Sequence, residues 1–263
     1  MPLLNMMNTR VGPYFDRCLA ALEKGLGISL VLFSLSIFNP SLGWAEEEDM
    51  AGNPDGLVEV HIKGDPYAPY VDRRTPWSGR LNMQWESFYP SSYISPGDQA
   101  PYSNIFGNNQ GALISLSLGG QYNTGLGALY VDATYGAGTI PGIASGSALV
   151  LSKYGAIAGI LLDKLFANPW VSPFVAVEAV YFKWNETAAN VSGTTAVTVG
   201  TMAGISIHMN RVDEVAAAEA YINYGIKNSF VDIYAIQYNT SNSAGDPDLQ
   251  TSPAIGAGFH LEF

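Results

Sequence analysis

Beyond residue 79, apolar and polar residues alternate in segments about ten residues long. Arg80–Tyr89 sets Leu81, Met83 and Trp85 against Asn82, Gln84 and Glu86. Gly111–Tyr122 sets Ile114, Leu116 and Leu118 against Ser115, Ser117 and Gln121, and Ala128–Gly136 sets Leu129, Val131 and Tyr135 against Tyr130, Asp132 and Thr134. Leu149–Leu162 is less regular, with Lys153 and Gly155 on one side. Pro173–Trp184, Thr195–Met209, Lys227–Tyr238 and Ala254–Phe263 repeat the design. A period of two marks a strand with one apolar and one small or polar face. The pattern predicts eight strands.

The connectors alternate as well. Long polar segments follow the first, third, fifth and seventh predicted strands, and shorter ones lie between them. One connector, Asn210–Gly225, reads as a short helix between strands 6 and 7. Asn210 is the expected N-cap, Asp213 and Glu214 fall in the first turn, and Gly225 is the expected stop. An even strand number is expected to put both chain ends on the same side of the barrel.

Three facts of composition decide what bathes the apolar faces. Charged residues make up 13% of the chain against 48% hydrophobic residues, where soluble domains average about 25% charged. The longest apolar run, Gly25–Phe38, is 14 residues, short of the roughly 20 that a spanning helix needs. In lipid every backbone N–H and C=O must be paired within the protein, so a closed sheet is the remaining way to span. The strands are of the length a tilted membrane strand requires. A soluble ligand-binding barrel would carry the opposite faces, apolar inward and polar outward.

The run at Gly25–Phe38 has its own explanation. Arg10, Arg17 and Lys24 precede it, and Gly43 and Ala45 supply a small-x-small site after it. This is the pattern of a secretory signal peptide, expected over residues 1–45. Cleavage there removes the single cysteine, Cys18, so no disulfide framework is expected. It also removes three basic and two acidic residues from a chain of net charge −11, leaving −12. Such an acidic chain has no clustered Lys and Arg for phosphate, so nucleic acid is not an expected partner. Residues 46–78 carry Pro66, Pro69 and Pro76 and read as a periplasmic N-terminal extension, with the barrel at 79–263.

The last residues sharpen this reading. Gly258, Leu261 and the final Phe263 form a glycine, hydrophobic, terminal-aromatic pattern. In this the chain resembles the small outer-membrane β-barrel proteins, the class of the OmpA membrane domain and the OmpW-like barrels. The resemblance implies an all-β, eight-stranded antiparallel transmembrane barrel in a Gram-negative outer membrane. It further implies that Gly258, Leu261 and Phe263 are an assembly signal read by the barrel-insertion machinery, and that outer-membrane lipids surround the wall.

If the apolar parity touches lipid, the other parity lines the interior. That places Glu86, Asp132, Lys153, Glu178, His208, Asp232 and His260 inside, together with Gln84, Gln121 and Glu262. Buried charges need partners, so Lys153 is expected to pair with Glu178, Asp132 or Asp232. Arg73 and Arg74, a basic doublet beside the barrel, are candidates for a plug at the lower mouth. Trp85, Tyr89, Tyr122, Tyr135, Trp170, Tyr181, Trp184, Tyr238 and Phe263 are expected at the membrane interfaces. The function these features suggest is a structural or passive, porin-like small-solute barrel with a mostly plugged polar interior. The alternatives are adhesion or ligand binding through the outer loops, above all Ser91–Gln110, and, less favoured, a lipid-modifying enzyme. Ser206 and His208 could pair, but there is no G-x-S-x-G elbow, no His-x-x-x-His and no Cys pair. The expectation is therefore a non-enzymatic protein with no cofactor and no metal.

Overall fold

The computed structural model describes residues 73–166, 169–241, 243 and 245–263. The expected signal peptide, Cys18 and residues 46–72 of the extension lie outside the described residues. Among the described residues there are nine strands: β1 (Trp77–Phe88), β2 (Gly111–Asn123), β3 (Ala128–Pro141), β4 (Ala148–Leu161), β5 (Val171–Glu186), β6 (Val191–Thr194), β7 (Thr198–His208), β8 (Asn228–Tyr238) and β9 (Ala254–Glu262). All pairings are antiparallel. Eight strands close on themselves in the order β1-β2-β3-β4-β5-β7-β8-β9, and β9 returns to β1. The ninth, β6, pairs with Lys183–Glu186 as a hairpin arm on the outer end of β5. The connector 185–194, expected to be irregular, thus ends in a strand. Its polar composition hid this, because a hairpin standing beyond the membrane has no apolar face to bury.

The register fixes the tilt. Val171 faces Ile207, and the same row continues through Val231, Phe259, Met83, Leu116, Tyr135 and Tyr154 to Tyr181. The row has gone once round the barrel and returned to β5 ten residues further on. With about 3.3 Å per residue and about 4.8 Å between strands, that shear sets a tilt of about 40°. The ten residues then climb about 25 Å along the axis, the height of an outer-membrane apolar band.

The faces follow the alternation. Met83, Ile114, Leu116, Val131, Val175, Val177 and Ile233 are exposed on the outer wall, while Asn82, Gln84, Glu86, Ser115, Ser117, Asp132 and Asp232 are buried inside. A water-soluble protein does not arrange itself this way, since each buried polar group costs free energy that apolar burial would supply. The arrangement is stable only where hydrocarbon surrounds the wall. Trp184 and Tyr238, expected in the aromatic girdles, are corrected: both point inward and are buried, because they share parity with the inward residues of their strands.

The two ends differ. Connectors 124–127, 162–170 and 209–227 lie at the end that holds Trp77 and Glu262, here the lower end. The third contains a 3-10 turn, Met209–Arg211, and helix α2 (Glu214–Tyr224). The expected cap Asn210 is corrected to Asp213, whose side chain accepts from the Ala216 N–H at 2.9 Å. Asn210 is buried and holds the returning chain: its amide donates to the Lys227 carbonyl at 2.9 Å, and its oxygen accepts from the Ser229 N–H at 3.0 Å. Gly225 ends the helix at φ 69°, a left-handed conformation that suits glycine. At the upper end, connector 89–110 contains the short helix α1 (Tyr102–Ile105). Among the described residues no helix is long and apolar enough to cross a membrane.

Candidate functional site in the barrel interior

From the lower rim upward, the interior is filled in layers. At the rim, Arg74 bonds Asp163 and also donates to Glu262, Nε to Oε1 at 3.1 Å and to Oε2 at 3.3 Å. Asn228 donates to the other side of Glu262 at 2.7 Å, and Asn123 reaches it at 3.3 Å. The carboxylate at the end of β9 is thereby tied to β2, β8 and the segment entering β1. Beside it, Ser172 Oγ and His208 Nε2 lie 2.7 Å apart, both buried.

Above the rim, Arg80 Nε stands 3.1 Å from Asp132 Oδ2, and its guanidinium lies 4.1 Å from the centre of the Tyr130 ring. Asp232 takes two bonds, from Ser206 Oγ at 2.6 Å and from His260 Nδ1 at 2.7 Å. His260 in turn stacks on Phe230 at 4.2 Å. The order is serine, carboxylate, imidazole. In a Ser-His-Asp triad the imidazole stands between the other two, so this constellation is a cross-strand tie with a different order. The expected pairing of Ser206 with His208 does not form.

The next layer is built on Lys153. Its ammonium lies 3.0 Å from Glu86 Oε1 and 3.3 Å from Glu178 Oε1, and it donates to Tyr238 Oη at 2.9 Å. Tyr238 Oη lies 2.8 Å from Glu86 Oε1 and 3.1 Å from Glu178 Oε2. Four strands, β1, β4, β5 and β8, meet in this one cluster. Of the three expected partners of Lys153 only Glu178 is one. Asp132 and Asp232 sit lower, held by Arg80 and His260. Glycine makes room for the rings that fill the layers: a Cβ on Gly256 would come 2.3 Å from the Tyr234 ring.

Above Lys153 the interior turns apolar. Phe88, Leu113, Ile140, Leu149, Leu151 and Phe182 are almost completely buried. Connector 89–110 folds over them. Its Tyr93, Tyr102 and Phe106 are as buried as any strand residue, and Tyr93 and Tyr102 each pack within 5.9 Å of Phe106. Tyr93 Oη donates to Glu186 Oε2 at 2.7 Å. Burial, then that hydrogen bond, then the carboxylate charge push the Tyr93 phenol well above its ordinary pKa, so it remains a donor. The interior expected to be mostly polar is thus apolar at this end, and the connector expected as an outer loop carries three buried aromatics. Tyr93→Phe leaves a buried carboxylate oxygen without its donor, at a cost of about 1–3 kcal/mol. The expected result is faster protease cleavage within 91–108 while the strands stay intact.

Every expected interior residue is buried, and the structure draws Glu86, Lys153 and Glu178 together, and Asp232 with His260. His208 pairs with Ser172 and packs edge-on against Phe230 at 4.7 Å, the ring on which His260 stacks. Arg80, Asp163 and Ser172 were not singled out by the sequence reading. For Arg80 the signal was present, since it shares parity with Asn82, Gln84 and Glu86. Among the described residues no group of three or more His, Cys, Asp or Glu could hold a metal ion.

No family model and no curated protein matches the chain. Among solved structures it is similar to Neisserial surface protein A, at 12% identity and a TM-score of 0.43, covering 72% of this chain and 98% of that one. It is also similar to the outer membrane protein OprG from Pseudomonas aeruginosa, at 11% identity and a TM-score of 0.39, covering 71% and 95%. The fold rests on the chain's own register: eight closed antiparallel strands, a shear of ten, an apolar wall and buried polar layers inside it are the architecture of the small outer-membrane β-barrels.

Proposed function

We propose that the protein is a closed outer-membrane barrel, with a structural or at most slow, passive permeation role and no catalysis. The observation that carries this reading is the burial of inward side chains at every level, from Arg74 at the lower rim through the Arg80 and Lys153 layers to the aromatic lid of connector 89–110. An eight-stranded barrel is just wide enough to be filled by its own side chains. Acids outnumber bases inside, but Glu86 and Glu178 face Lys153, Asp132 faces Arg80, Asp232 faces His260 and Glu262 faces Arg74, each across strands or from the segment entering β1. On this reading Gly258, Leu261 and Phe263 are what the insertion machinery recognises, and Phe263 completes the seam by exchanging backbone bonds with Gly79 at 3.0 and 3.2 Å.

A planar bilayer tests the proposal. Wild-type protein is expected to insert without stepwise current. A stable open channel in the wild type would sink the closed-barrel reading and favour a cation-preferring pore.

A further inference from the structure

On the outer wall, β3, β4 and β5 together carry a cluster of tyrosines. Tyr135, Tyr154 and Tyr181 are register partners on β3, β4 and β5. Their rings form a ladder, with centroids 5.1 Å apart for the first pair and 5.3 Å for the second. Lys183 Nζ lies 5.1 Å from the Tyr154 ring centre, on the upper side of the ladder. No carboxylate occupies the outward parity of these three strands. Among the described residues, Lys183 has no ion-pair partner and the three hydroxyls have no hydrogen bond within the protein. The ladder takes the last three steps of the row that climbs from Val171, so it rises from about 19 Å above Val171 at Tyr135 to about 25 Å at Tyr181, where hydrocarbon gives way to headgroups. Polar groups there that have no protein partner turn to lipid headgroups and interfacial water.

Below the ladder the wall is hollowed. Ala133, Ala156 and Ala179 form the next outward row down. Beneath them Leu129, Val131, Ala158, Ile160, Val175 and Val177 line a shallow concavity. The row of small alanine side chains separates this concavity from the tyrosines above it.

We propose that Lys183 and the Tyr135–Tyr154–Tyr181 ladder bind the anionic phosphate headgroup of a lipid in the outward leaflet, with an acyl chain lying in the concavity below. The ammonium supplies the charge, the phenols supply hydrogen-bond donors, and the concavity supplies apolar contact. The site rests on the membrane-barrel reading, because lipid must bathe this wall.

Native mass spectrometry of the detergent-purified full chain, titrated with phosphatidylglycerol or with phosphatidylcholine of the same chains, tests it. The wild type is expected to retain phosphatidylglycerol at least several-fold better. Lys183→Gln should abolish that preference, Lys183→Arg should keep it, and Lys227→Gln on the opposite rim should leave it unchanged. Ala158→Leu, which fills the concavity, should weaken retention of both lipids. Equal retention of the two lipids by the wild type, or an undiminished preference in Lys183→Gln, overturns the site. Wild-type protein that inserts into bilayers yet shows no preference loses the site alone, whereas protein that stays folded in water without detergent loses the barrel reading as well.

Discussion

Replacing Lys153 by methionine is expected to destabilise the barrel by about 3–5 kcal/mol, the cost of leaving buried charge without its partner. The lysine is fully buried and stands between Glu86 and Glu178, with Tyr238 bridging the same two carboxylates. Without the ammonium, two carboxylates share one phenol proton in a site that water does not reach freely. The pair then has to take up protons or draw in water, and either costs stability. Neutralising the partners at the same time, in Lys153→Met with Glu86→Gln and Glu178→Gln, should recover most of the loss, because a well-packed neutral cluster removes the desolvation penalty along with the attraction. Urea unfolding in lipid vesicles measures both. A single-variant loss below about 1 kcal/mol, the range of a solvated ion pair, would mean that the interior is open to water.

An arginine at Met83 is expected to cost about 2–4 kcal/mol, as charges do at the midplane of a barrel wall. Met83 is the fourth step of the eight that carry the outward row from Val171 to Tyr181, so it lies at half height, and its side chain is 57% exposed. Val231 is the second step, at a quarter of the height. An arginine there can reach the lower headgroups, and a smaller loss is expected. From the alternation alone Val231 would pass for a mid-strand position. Its depth depends on shear, and shear is a property of the pairing. The same unfolding experiment on the two variants ranks them, and equal losses would contradict the tilt of about 40°.

The strands were legible because one physical constraint writes them: each side chain meets either hydrocarbon or the interior, and the choice alternates. The extents of β2 and β8 match their sequence segments to within one residue at each end. Interior membership was legible for the same reason, down to Glu86, Lys153 and His260. Partnership was not. Which of three acids meets Lys153 depends on register between strands far apart in the chain, and Glu86 lies 67 residues away. The aromatic lid was missed for a different reason. Tyr93, Tyr102 and Phe106 stand among Ser, Asn, Gly and Pro with no period of two or of 3.6, so nothing local marks them as buried. Trp184 and Tyr238 were misplaced because an aromatic near a strand end suits a membrane interface and a barrel mouth equally. Parity, which was available, decides between them. The capping error at Asn210 has the same character: Asn210 and Asp213 both suit an N-cap, and the one needed to bind the returning chain is lost to the helix.

The central claim is that lipid meets one parity of every strand and a filled interior the other. Nitroxide labels placed singly at residues 81–86, in a chain with Cys18 replaced by serine, read it directly through collisions with oxygen and with a water-soluble nickel chelate. The expected result is high oxygen accessibility at Leu81, Met83 and Trp85, with low accessibility to both reagents at Asn82, Gln84 and Glu86. Strong nickel accessibility at the odd positions, or at the even ones, would contradict the account: the first would put the wall in water, and the second would open the interior.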